Sequence, residues 1–256
     1  MPYKTVIQTF LAACSVLILL AVPGQAKAFY DLPPLAAPEE YGNVLISRSA
    51  EKSEMLPVAF SHWTHRLKYT CEVCHTELEF EMARNATEIN HDKQQDGLFC
   101  GACHDGKIAF DHQDACFNCH NGDLSTGSEK FTYFNKKPFP TTRYGNGIDW
   151  VRSLERGLIA PNRYLREEPF VMQMDRTVEL TAEMRRIPPA YFPHQAHLQW
   201  MGCDMCHPEL FNIKRKGTEN FSMAAILQGR FCGGCHLNVA FPIDDCNRCH
   251  PDVRER

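Results

Sequence analysis

Twelve of the thirteen cysteines in this 256-residue chain lie in six copies of one motif, C-x-x-C-H. The copies are Cys71–Cys74–His75, Cys100–Cys103–His104, Cys116–Cys119–His120, Cys203–Cys206–His207, Cys232–Cys235–His236 and Cys246–Cys249–His250. Two thiols so spaced add across the two vinyl groups of a haem, along one edge of the macrocycle. The adjacent histidine then reaches the iron as proximal ligand. C-x-x-C pairs also make zinc ribbons and disulfides. Neither requires a histidine after every second cysteine, and here it follows all six times. The motifs therefore predict six covalent c-type haems and no free mature thiol.

The thirteenth cysteine, Cys14, lies in a different kind of segment. Lys4 precedes an apolar run from Val6 to Val22, and Ala26-Lys27-Ala28 forms a small-x-small site. A charged start, an apolar stretch and such a site are the build of a secretory signal peptide. Residues 1–28 are expected to be removed, with Phe29 starting the mature chain in the periplasm, outside the cell or at the outer membrane. Leu11-Ala12-Ala13-Cys14 also resembles a lipobox, which would leave Cys14 lipidated. An uncleaved anchor is the third reading, although the run is short for a full span of about 20 residues.

Composition excludes several classes. The chain is 44% apolar and 23% charged, which is ordinary for a globular protein. A net charge of −4 argues against nucleic acid as a partner. Removing Lys4 and Lys27 takes 27 basic residues to 25 against 31 acidic, so the mature chain carries −6 before any haem propionate is added. An acidic exported surface suits docking to basic patches on redox proteins.

The spacing repeats. Cys71 to Cys203 and Cys100 to Cys232 are both 132 residues, and Cys116 to Cys246 is 130. Phe60-Ser61-His62-Trp63-Thr64-His65 matches Phe192-Pro193-His194-Gln195-Ala196-His197. Asn43–Ser47 and Thr177–Thr181 alternate like strands. The domain plan is two trihaem modules, 42–121 and 175–252, joined by a haem-free connector, 122–174. In the connector, Trp150, Leu154 and Leu158 lie four apart, so Asp149–Ile159 is expected as one amphipathic helix. It would be a docking face for another cytochrome or packing against a haem edge or the neighbouring module. Trp63 and Trp200 are expected to wall haems.

An F-x-H-x-x-H lead followed by three C-x-x-C-H motifs resembles the trihaem cytochrome c7 family, a shortened relative of the cytochromes c3. It resembles in particular the modules of exported cytochromes from metal-reducing bacteria. The resemblance covers both modules and is weakest between them. It implies a two-stranded hairpin and short helices per module, little regular secondary structure, and a core filled by haem. It also implies the sixth ligands: His65 with His75, His62 with His104, His197 with His207, His194 with His236, and His91 with His120. At the position matching His91, module two has Met223, which is expected to ligate the haem of His250. His112 reaching across, or an open site, are the alternatives there.

The resemblance implies electron transfer rather than catalysis, with other cytochromes or redox proteins as partners. The competing class is a multihaem oxyanion reductase with one open haem at His250. A building block of a filament or an outer-membrane conduit would share the chemistry and differ in assembly.

Overall fold

The computed structural model describes residues 32–168, 170, 172–184, 186–212 and 218–253. The expected signal segment and Cys14 lie outside them. All but Leu32 and Pro33 of the described residues belong to one compact unit. Among the described residues no helix is long and apolar enough to cross a membrane.

The elements are short. In chain order they are β1 (Asn43–Ile46), β2 (Val58–Ser61), α1 (His62–Arg66), α2 (His91–Gln95), α3 (Cys116–Cys119), α4 (Ser128–Phe134) and α5 (Trp150–Glu155). Then follow β3 (Thr177–Leu180), β4 (Ala190–Pro193), α6 (His194–Leu198), α7 (Met223–Leu227), α8 (Gly233–His236) and α9 (Cys246–Cys249). The first and second motifs of module one adopt a π turn over Val73–Glu77 and a 3-10 turn over Phe99–Ala102.

Each module opens with an antiparallel hairpin. Asn43 pairs with Ser61 and Ile46 with Val58 in the first, Thr177 with Pro193 and Leu180 with Ala190 in the second. The expected alternation holds in β3, where Thr177 and Glu179 are exposed and Val178 and Leu180 half-buried. In β1 all four residues are half-buried. Each hairpin runs straight into the helix that bears the His pair. Only ten apolar side chains are buried among the described residues. That is too few to make a core of ordinary size from side chains alone.

The repeat extends to backbone detail. α2 and α7 are capped alike: Asn90 Oδ1 accepts from Lys93 N at 2.9 Å, and Ser222 Oγ from Ala225 N at 3.0 Å. Phe99 and Phe231, each just before a haem cysteine, hold the left-handed region at φ 51° and 52°, which is uncommon for a bulky residue. A methyl group on Gly101 would lie 1.9 Å from Gln94 O, and one on Gly233 would lie 1.9 Å from Ile226 O. Only glycine lets the second motif approach that closely.

The connector differs from its expected form. α5 stops at Glu155, because Gly157 takes φ +66° and closes a two-bond C-cap, with Gly157 N on Leu154 O and Leu158 N on Ser153 O, both 2.9 Å. Leu158 is therefore turned out to solvent rather than continuing the stripe, and Ser153 and Ile159 are buried instead. Trp63 is wholly buried, and α4 supplies its wall: Phe131 and Phe134 meet it edge-on at 6.0 and 5.7 Å. Trp63, expected to wall a haem, is itself walled by connector side chains.

The connector also staples the modules. Arg163 donates to Leu198 O in module two at 2.7 Å and pairs with Glu72 of module one at 3.4 Å. Arg248 pairs with Asp149, the residue that caps α5, at 3.5 Å.

Candidate haem-attachment sites

No disulfide joins any two of the twelve motif cysteines. Burial pushes several of them up, Cys74, Cys100 and Cys235 to about 12 and Cys232 to about 11. Among the described residues no group of three or more Cys, His, Asp or Glu is gathered to hold an ion. The geometry therefore gives the zinc reading no support. Neutral paired thiols next to a histidine fit covalent haem.

The six motif histidines share one orientation. Nδ1 lies against a backbone oxygen in each: His75 on Phe80 at 2.7 Å, His104 on Phe110 at 3.1 Å, His120 on Leu56 at 2.8 Å. His207 bonds Phe211 at 2.6 Å, His236 bonds Phe241 at 3.2 Å, and His250 bonds Pro188 at 2.8 Å. A carbonyl only accepts, so Nδ1 carries the hydrogen and Nε2 keeps its lone pair. That is how an iron-ligating imidazole is oriented by its surroundings.

The four histidines of the paired leads are set in the same way. Their Nδ1 atoms bond the oxygens of Gly42, Ser61, Arg176 and Pro193, each at 2.9 Å. The leading phenylalanine is the shim. Phe60 stacks tilted on His65 at 4.5 Å and meets His62 edge-on at 4.8 Å. Phe192 repeats this with His197 at 4.2 Å and His194 at 4.9 Å. This role was missed from sequence, although the F of F-x-H-x-x-H was its signal. Burial lowers His62 to about 3 and His236 to about 4, and also lowers His65, His75, His104 and His197. These rings stay neutral, the form that binds metal.

The ring distances bear on the pairing implied by the resemblance. Two imidazoles on opposite sides of one metal, each bonded at about 2 Å, put their ring centres about 6 Å apart. His65 stands 6.3 Å from His104, and His197 stands 6.2 Å from His236. The second histidine of each pair thus stands opposite the histidine of the second motif, which runs against the pairing implied by the resemblance. The helix decides this: residues three apart in a five-residue helix point to different haem sites, and spacing alone does not say which goes where.

His91 and Met223 occupy equivalent places, each the first residue of a capped five-residue helix. Met223 is half-buried and His91 exposed. Nε2 of His91 is engaged by Gln95 at 2.9 Å. His112 is anchored as the ligand histidines are, with Nδ1 on His104 O at 2.8 Å, and its buried Nε2 has no partner. Its ring lies 5.8 Å from that of His91. It therefore belongs with the histidines of module one, which argues against a reach across to His250. At its place in module two, Ile243 is buried.

Paired thiols, carbonyl-anchored imidazoles and a thin side-chain core define a multihaem c-type cytochrome. The model of the family "cytochrome c7 and related cytochrome c" matches residues 58–121 and 190–251. The chain belongs to this family, as a protein of two c7-type modules carrying covalent haem. Among solved structures it is similar to the C-terminal hexahaem fragment of GSU1996, at 26% identity over 86% of this chain and 99% of that one, TM-score 0.28. A c7-type three-haem cytochrome domain is 35% identical over 32% of this chain and 98% of its own length, TM-score 0.27. The N-terminal hexahaem fragment of GSU1996 is 25% identical over 83% and 99%, TM-score 0.26. No curated protein matches the chain.

Proposed function

We propose that this is an exported hexahaem cytochrome that relays electrons between redox partners across the periplasm, at the outer membrane or outside the cell. One observation carries the reading: five histidines beyond the six motif histidines present a carbonyl-anchored ring with Nε2 left for iron. When bound, haem iron cycles between ferric and ferrous states and passes one electron at a time. The chain's own work is to hold both axial positions, keep the ligand rings neutral, and exclude water from them. Met223, which stands where module one has His91, is the residue we assign as sixth ligand of the site at His250. The charged start, apolar run and small-x-small site of residues 1–28 support export. The six motifs, each with its histidine, support six haems.

Carbon monoxide binding to the reduced holoprotein tests the reading. Rapid binding at none of the haems is expected. Rapid binding at one in six would instead favour an oxyanion reductase with an open haem at His250.

A further inference from the structure

The two modules meet around the first motif of module one. Glu72, inside the first motif of module one, donates its backbone N–H to Trp200 O of module two at 3.2 Å. The side chain of Glu72 is held by Arg163, which also binds Leu198 O. On the same side, Arg66 donates to Val239 O, three residues past the proximal His236. Buried Tyr41 donates to His236 O at 3.5 Å. The first motif of module one therefore abuts module two on two sides: Glu72 reaches the approach to Cys203, while Arg66 and Tyr41 reach the second motif, where Cys71 lies within electrostatic reach of Cys235.

Arg66 is unusual at this junction. Its guanidinium lies over the Trp150 ring at 5.3 Å. No carboxylate among the described residues pairs with it. It lies within electrostatic reach of Cys71 and Cys235, and burial lowers its pKa. The matching residue in module two, 132 positions on, is Leu198. So this cation belongs to the junction and not to the module plan.

We propose that electrons cross between modules where the Cys71–His75 site faces the Cys232–His236 site, and that Arg66 is the positioning residue that joins these sites and sets their potentials. The step moves one electron and leaves every bond in place. A fixed cation disfavours the ferric state, which carries one more positive charge, so it raises the potential of a neighbouring haem. The proposal rests on the relay reading.

Redox titration of the holoprotein, with haem signals assigned by NMR, tests it. Arg66→Leu is expected to lower the potentials at His75 and His236, leave those at His120 and His250, and slow exchange between modules. Arg66→Lys keeps the charge and is expected to hold the potentials nearer wild type. Unchanged potentials, or an equal shift at all six, would overturn it. If Arg66→Leu does not load haem, magnetic coupling between haems in the oxidised wild type decides. The strongest coupling between modules must then join His75 and His236, and a stronger one elsewhere overturns the proposal. Failure of the relay reading would show differently, as wild-type haems that titrate without exchanging electrons.

Discussion

Eleven of the twelve histidines spend Nδ1 on a peptide oxygen. Because that anchor is nearly uniform, it does little to separate the haems in potential. The sixth ligand and the local charge are what remain to tune them. Met223, standing where module one has His91, is one such difference between the modules. Met223→Leu is expected to abolish a red-region charge-transfer band of the ferric protein, and Met223→His to lower the potential of the last haem, as read by spectroelectrochemistry. The shims make a second prediction. Phe192→Ala removes the ring that holds both His194 and His197, so the EPR spectrum should gain high-spin signal from module two while module one keeps its low-spin spectrum. Residue identities were legible because haem chemistry fixes their spacing. Which histidine pairs with which motif was not, since that depends on where the hairpin aims α1 and α6.

At the scale of elements, the second motif of each module rests on close backbone approach. Gly233→Ala must push a methyl group into Ile226 O, and overpacking of this kind costs about 1–3 kcal/mol. Gly234→Ala meets nothing nearer than 3.7 Å and should melt close to wild type. A thermal melt of the two holoproteins side by side checks the pair. The hairpins were legible from alternation and from the resemblance. The end of α5 was not, because a four-residue apolar spacing continued past the glycine that stops the helix. The use of α4 as the wall of Trp63 was hidden too, since Phe131 is 68 residues further along the chain.

For the whole molecule, the connector is the part that sequence described least well. Its staples join residues far apart: Arg163 and Glu72 are 91 positions apart, Arg248 and Asp149 are 99. Pairing at such range leaves no periodic trace. Arg163→Ala removes a hydrogen bond to a charged group, worth about 1.5–3 kcal/mol, and releases both modules at once. Small-angle scattering should show a longer molecule, and proteases should cut the connector sooner. The net negative charge has its own signature. Association with a basic redox partner should slow as ionic strength rises through the range where the screening length is about 10 Å, and stopped-flow mixing at several salt concentrations measures it.

The last motif of each module leans back on the loop of its own hairpin, His120 on Leu56 and His250 on Pro188. The first stretch of a module to leave the ribosome is therefore completed by the last. Neither end can be trimmed without loosening the final haem, and neither needs the neighbouring module to close it. A chain built from such closed loops lengthens only by whole copies, three haems at a time. Gene duplication could then extend the conductor while leaving each existing segment's ligation as it was.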